Sequence, residues 1–354
     1  MKKIVQDITS VLHKLYIYII CARAINKSLS FTADRNRIIV FDTSLFSTNK
    51  GDSIINYYCL IILKECIEKK KLVLVPTHRM PSEQQQEAVK KTREKVVCGT
   101  NIISPDFDNW NMWKFPKMLK GYYNIIAMGV GAGYYYKSID EKSRVIYKSI
   151  FGKKCIHSAR DSYTKEMFIS MGIKNVVVTG CPTMWRLTPS FCASIPVSKA
   201  KNVIATLTDY DKNPSKDLYL LNSLINEYDS VYLWLQGDTD MDYLSSLGDI
   251  SNHLIIVSGD MFEFTNVLRQ GNIDYIGTRL HAGIHAMNCG VRSLIVSIDN
   301  RAKEMANDFN LPIIDRASLE ESLIDMIYVD RTTEIKLPWD NINKWKSQFN
   351  KTSH

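Results

Sequence analysis

Short apolar runs, each followed by a stretch with helical apolar spacing, recur along this chain and fix its fold class before any single residue is considered. Arg37 to Asp42 (RIIVFD) is the first, and Gly51 to Glu68 follows it as a helix. The alternation returns at Leu72 to Pro76, Asn124 to Met128, Lys154 to Ser158 and Asn175 to Thr179. Strand followed by helix is the repeating unit of a parallel sheet. From Trp185 to Ala200 the pattern lapses into Pro, Ser and Thr, the composition of a linker. It resumes at Asn202 to Thr206, Ser230 to Leu235, Leu254 to Val257, Tyr275 to Gly277 and Ser293 to Ser297. The expected fold is α/β, with two Rossmann-like doubly wound domains facing a cleft that takes ligands at the carboxyl ends of the strands. A length of 354 residues suits two such domains. The expected boundaries are an N-terminal helical segment over 1–36, a first domain over 37–186, a linker over 187–200, a second domain over 201–320 and a C-terminal helical segment over 321–354.

The net charge of +8 is spread along the chain, with no run longer than Lys69 to Lys71. A diffuse excess of this kind favours small anions or a membrane surface over a nucleic-acid groove, and no nucleic-acid partner is expected. Cysteines at 21, 59, 66, 98, 155, 181, 192 and 289 have neither zinc-site nor disulfide-scaffold spacing, which reads as free thiols in a reducing cytoplasm. The apolar stretch Leu15 to Ile20 is too short to span a bilayer. It reads either as a helix packed on the first domain or, with Lys2, Lys3 and Lys14 beside it, as an interfacial anchor that brings the protein to a membrane.

The segment Gly277 to Asn300 is the richest in chemistry. A strand ends at Gly277, Arg279 and His281 occupy the turn, and a helix containing Ala and Gly precedes the strand that begins at Ser293. The free N–H groups of that helix, with a guanidinium and an imidazole beside them, suit an anion. The competing reading pairs Arg279 with a neighbouring carboxylate and makes His281 a cap. No acid stands between Asp274 and Asp299, which argues for a small anion rather than the ribose of a nucleotide.

Arg279-Leu280-His281-Ala282, with Gly290 and Ser297-Ile298-Asp299, resembles the C-terminal signature of polysaccharide pyruvyltransferases. Asn49-Lys50-Gly51-Asp52-Ser53-Ile54-Ile55 is similar to the Asn-x-Gly-Asp-x-x-Ile of the same family, and Ala159-Arg160-Asp161 with Gly172 and Thr179-Gly180-Cys181-Pro182 to its third pattern. Order and spacing agree over residues 37 to 315. The resemblance implies two domains of the GT-B kind, with phosphoenolpyruvate as donor substrate and the functional positions Asp52, Arg160, Arg279, Leu280 and His281. It also implies a glycan or lipid-linked oligosaccharide acceptor, and a cytoplasmic protein, peripheral at the inner face of the plasma membrane if the N-terminal segment anchors it.

Within that reading Arg160 and Arg279 suit the donor's carboxylate and phosphate, because a guanidinium gives bidentate contacts without titrating. His281 is the candidate general acid and Asp52 the candidate base, although Asp52 also reads as a helix cap. No cofactor and no metal are expected; His281 and His285 lie four apart but lack the Glu of a zinc hydrolase between them. His78 and His157 read as satisfied structural residues, and Asp238-Thr239-Asp240 most simply as a solvated loop, with contact to the sugar as the second reading. Gly129-Val130-Gly131-Ala132-Gly133 followed by Tyr134, Tyr135 and Tyr136 lies outside the family pattern and reads either as a tight turn or as a surface for the acceptor sugar. Two other functions fit the same chain: a GT-B glycosyltransferase using a nucleotide sugar, and a non-catalytic glycan-binding or scaffold protein.

Overall fold

The computed structural model describes residues 34–67, 70–109, 112–114, 116 and 121–350. The segment 1–33, and with it the interfacial-anchor reading, lies outside the described residues; 34–36 already belong to a strand rather than to a helix. The chain forms two compact units. Among the described residues the first comprises 34–46, 59–181 and 338–350, and the second 47–58 and 182–337.

The first unit carries β1 (Asp34–Asp42), β2 (Lys71–Pro76), β3 (Thr92–Cys98) and β4 (Ile125–Met128), all parallel in the order β2-β1-β3-β4. Helix α1 (Lys50–Cys66) begins in the second unit and ends in the first. Helices α2 (Glu83–Lys91), α3 (Glu141–Ile150) and α4 (Ser162–Ser170) follow, with β5 (His157–Ala159) and β6 (Val176–Val178) forming a parallel pair. Central strands read IIVF and IIAM because both faces are covered, and Ile39, Phe41, Val97, Ile125 and Trp113 meet in one core. In this unit strand β3 is the element that apolar patterning misses. Its first residues are Thr92, Arg93, Glu94 and Lys95, and it leaves α2 with no intervening loop.

The second unit holds α5 (Pro189–Cys192), β7 (Asn202–Thr206), α6 (Pro214–Glu227), β8 (Ser230–Leu235), α7 (Asp240–Ser246), β9 (Ile255–Ser258), α8 (Met261–Leu268), β10 (Ile273–Gly277), α9 (Leu280–Asn288), β11 (Ser293–Ser297), α10 (Asn300–Phe309), β12 (Ile313–Asp315) and α11 (Leu319–Tyr328). Its six parallel strands run β12-β11-β10-β7-β8-β9. The chain builds outward from β7 to β9, then returns to the other side of β7 with β10, so the order reverses between β7 and β10. In open α/β sheets such a reversal leaves a crevice at the carboxyl ends of the two strands, where ligands bind.

The stretch expected as a linker, 187–200, contains α5 and belongs to the second unit. The C-terminal stretch divides: α11 packs on the second sheet, while α12 (Trp339–Asn350) belongs to the first unit, where Trp345 donates its indole N–H to Ala127 O at 2.9 Å. The fold is α/β with two Rossmann-like parallel sheets. Among the described residues no helix is long and apolar enough to cross a membrane, and the seven described cysteines are free thiols.

Candidate active site

Most helices here start on a side chain that accepts an N–H bond. Asp140, Asp161, Asp260 and Asp299 cap α3, α4, α8 and α10. Helix α9 differs, because Arg279 stands at its N-cap and makes no side-chain cap bond. The first turn, Leu280, His281 and Ala282, therefore presents backbone donors and the positive end of a nine-residue helix at the crevice between β7 and β10.

Arg279 is 3% exposed, so its charge needs partners. Its Nε donates to Leu207 O at 2.7 Å and its Nη2 to Asp209 Oδ1 at 2.8 Å and to Asp240 Oδ1. Nη1 has no protein partner among the described residues. The Tyr210 ring lies over the guanidinium, 5.1 Å from Cζ to centroid, and its hydroxyl accepts from Arg301 Nη2 at 2.7 Å. Burial and the Arg279 charge act in opposite directions on Asp240, and burial wins, raising its carboxyl above the usual range. For the more open Asp209, burial is outweighed by the Thr239 hydroxyl and Arg279, which hold its carboxyl below that range.

Two expectations are corrected by this arrangement. The turn Asp238-Thr239-Asp240 is not simply a solvated loop, since Asp240 is 2% exposed and its Oδ2 accepts from the N–H groups of Gln236 and Gly237 at 2.8 and 2.7 Å. The guanidinium also does not lack acids. The stretch between Asp274 and Asp299 has none, but the loops after β7 and β8 deliver two. A Cβ at Gly237 would lie 2.9 Å from Arg279 Nη2, so any larger residue there would have to displace the guanidinium.

Asp52 lies in the first turn of α1 and is 7% exposed. The cap is Asn49, whose Oδ1 accepts from Gly51 N at 3.0 Å, while Asp52 Oδ2 takes the Ser47 hydroxyl at 2.5 Å. This end of α1 is bound to the end of β8. Lys50 N donates to Gln236 O at 3.1 Å, Lys50 Nζ to Leu235 O at 2.7 Å and Gln236 Nε2 to Asn49 Oδ1 at 2.7 Å. Asp52, Arg279, Leu280 and His281 thus share the second unit, and the Asn49–Gln236–Asp240–Arg279 chain of bonds links the first turns of α1 and α9. Gln236 Oε1 is buried there without a protein partner among the described residues.

His281 is 8% exposed and Leu280 6%. His285 spends both ring nitrogens on hydroxyls, Nδ1 with Tyr58 and Nε2 with Thr265, each at 2.9 Å, and burial pushes it down to about 4. It is packed as a structural residue. His157 likewise binds Ala127 N and Gly152 O, and burial holds it at about 4. Among the described residues no cluster of three His, Cys, Asp or Glu side chains could hold a metal.

Arg160 lies in the first unit and is 1% exposed. Nε donates to Asp161 Oδ2 at 3.1 Å, Nη1 to Asn101 Oδ1 at 2.7 Å and Nη2 to Ala132 O at 2.8 Å. Its guanidinium is committed to protein groups around the loop after β4. Asp161 is doubly used, since its Oδ1 also caps α4 through Thr164 N at 2.7 Å. Sequence reasoning overlooked Asp209, Tyr210 and Gln236. Each follows the end of a strand, and knowing that β7 lies between β8 and β10 would have put all three beside Arg279.

One sequence family, described as polysaccharide pyruvyl transferase, matches residues 49–300. No curated protein matches the chain. Among solved structures the chain is similar to S. aureus MnaA with UDP, at 14% identity and a TM-score of 0.48, covering 90% of this chain and 97% of that one. It is also similar to UDP-GlcNAc 2-epimerase from Neisseria meningitidis bound to UDP-GlcNAc, at 10% identity and a TM-score of 0.48, covering 89% and 99%. For the wall teichoic acid polymerase TagF the values are 12% and 0.44, with 98% and 91% covered.

Proposed function

Because the chain belongs to the polysaccharide pyruvyl transferase family, we propose that it joins the pyruvyl unit of phosphoenolpyruvate, as a ketal, to two hydroxyls of one sugar in a cell-surface polysaccharide or its lipid-linked precursor. The observation that carries the donor assignment is the start of α9. An uncapped helix N-terminus opens at the reversal point of the second sheet, with Arg279 at its N-cap and Nη1 of that guanidinium left without a protein partner among the described residues. A carboxylate or phosphate is the group that such an arrangement favours.

In the reaction the methylene carbon of the donor takes a proton and its central carbon becomes electrophilic. Two sugar oxygens then bond to that carbon, and the bond to the phosphate oxygen breaks. Of the two hydroxyl protons, one balances the new methyl group and the other leaves with phosphate, so no oxidant or reductant is needed. His281, in the first turn of α9, is the proposed acid for the methylene carbon, and Asp52 the proposed base for a sugar hydroxyl. Arg279 and the Leu280–Ala282 N–H groups would hold the anion. The chemistry as written calls for neither cofactor nor metal, and the proposed setting is the cytoplasm, where lipid-linked precursors are assembled at the inner face of the plasma membrane.

Thermal unfolding tests the donor directly. Phosphoenolpyruvate should raise the melting temperature in proportion to the logarithm of its concentration above Kd. Protection by a nucleoside diphosphate, without protection by phosphoenolpyruvate, would overturn the assignment in favour of a nucleotide-sugar transferase.

A further inference from the structure

The loop after β4 carries two neighbouring aromatic rings that the core does not use. Tyr134 and Tyr135 are each 58% exposed. They stand at the carboxyl end of a parallel sheet, the end at which ligands bind. Large rings so open to water carry a solvation cost, and a rigid exposed pair is a common feature of recognition surfaces.

The loop is held over Gly129–Ala132 and again at Tyr136. Gly129 takes a φ of +64°, Val130 N donates to Ser158 O at 3.3 Å and Gly131 N to Thr100 O at 2.9 Å. Ala132 N donates to Thr164 Oγ1 at 3.2 Å, and Ala132 O accepts from Arg160 Nη2 at 2.8 Å. The guanidinium lies flat against Gly131, where a Cβ would come within 2.2 Å of Cζ, so only glycine fits. Beyond the pair, Tyr136 N donates to Tyr163 Oη at 2.6 Å, and the Tyr163 ring meets Tyr135 edge-on at 5.1 Å. The backbone on either side of the pair and the Tyr135 ring are therefore held before any ligand arrives, which lowers the ordering cost of binding.

From this geometry we infer that Tyr134 and Tyr135 form a stacking platform for a pyranose ring of the acceptor glycan, with Arg160 as the positioning residue that fixes the loop. This rests on the reading that the acceptor is a glycan. A tyrosine face suits the C–H side of a sugar ring, and its hydroxyl suits the sugar's own hydroxyls. An anionic bilayer is the less suitable occupant, because the exposed charges that follow the rings, Lys137, Asp140 and Glu141, are mixed in sign and form no basic patch.

Saturation-transfer NMR on the full chain tests the platform, using methyl glycosides of glucose, galactose, mannose and N-acetylglucosamine as probes. At least one glycoside should show transfer to its ring C–H protons. That signal should persist in the Tyr134→Phe/Tyr135→Phe variant and be lost in Tyr134→Ala/Tyr135→Ala. Exposed rings contribute little to the core, so the melting temperature of the alanine variant reports whether the fold is kept. Absence of transfer from the wild-type chain to all four glycosides, equal transfer to the alanine variant, or sedimentation with phosphatidylglycerol vesicles that depends on the two rings would each overturn the proposal. Protection by phosphoenolpyruvate, measured on the same samples, separates the two ideas. If it persists while the glycosides fail, the platform falls alone, and if the glycosides bind without it, the donor reading falls alone.

Discussion

Arg279 and Asp209 face each other across the reversal point of the second sheet, with Nη2 2.8 Å from Oδ1, one from the end of β10 and the other from the loop after β7. An anionic donor reaching this guanidinium meets a carboxylate already in place. The Asp209 side chain is 17% exposed, so its repulsion of a second anion is moderated by solvent and amounts to about 1 kcal/mol. Asp209→Asn should therefore bind phosphoenolpyruvate about fivefold more tightly in a calorimetric titration. Weaker binding would mean that Asp209 serves to aim the guanidinium.

His281→Asn and Arg279→Lys should fail differently. Asparagine retains a polar side chain but cannot act as an acid, so turnover should fall by about a hundredfold or more while phosphoenolpyruvate still binds. Lysine keeps the charge and loses the fork, and charge-assisted hydrogen bonds are worth about 1.5 to 3 kcal/mol, so affinity should fall at least about tenfold. Calorimetry alongside steady-state kinetics on both variants reads the division of roles; abolished binding in His281→Asn with intact binding in Arg279→Lys would reverse it.

Arg160→Lys tests the positioning role in the first unit. A lysine cannot serve Asp161, Asn101 and Ala132 together, so the loop carrying Tyr134 and Tyr135 should loosen. The expected kinetic signature is a raised KM for the glycan acceptor with phosphoenolpyruvate affinity unchanged. A loss of donor affinity instead would assign this guanidinium to the donor itself.

Stability should fall on acidification in two separate windows. Burial holds Lys95 down to about 7, with Nζ on Thr92 O at 2.5 Å and over the Tyr123 ring. Between about 10.5 and 7 the unfolded chain binds the extra proton, so stability falls as pH drops through that range and the cost is fully present below it. His157 and His285, both near 4, act in the same sense between about 6.5 and 4. Denaturant titrations across pH read both windows, and Lys95→Met should flatten the upper one and stabilise the protein at pH 6. An unchanged slope in that variant would contradict the assignment.

Five of the six strands of the second unit, β7 to β11, were legible in the sequence because they are short, apolar and bounded by turn residues, whereas the three-residue β12 was not. Asn202–Thr206, Ser230–Leu235 and Ser293–Ser297 fall where the pattern puts them. Strand β3 was not, since a run of Thr, Arg, Glu and Lys is held in the sheet by its neighbours rather than by its own propensity. The site divides in the same way. The motif Arg279 to His281 announces itself locally, whereas Asp209 and Asp240 lie 70 and 39 residues away and reach it only through strand order. The boundary inside α1 was likewise hidden, because an uninterrupted helix carries no punctuation between Tyr58 and Cys59.

Pyruvyl transfer itself is tested most directly by incubating the full chain with phosphoenolpyruvate and lipid-linked glycans, then reading the glycan by mass spectrometry and the released phosphate in the same mixture. One pyruvyl group should be gained per phosphate released, with both events lost together in His281→Asn. A glycan that stays unmodified with phosphoenolpyruvate but gains a sugar from a nucleotide-sugar donor would contradict it.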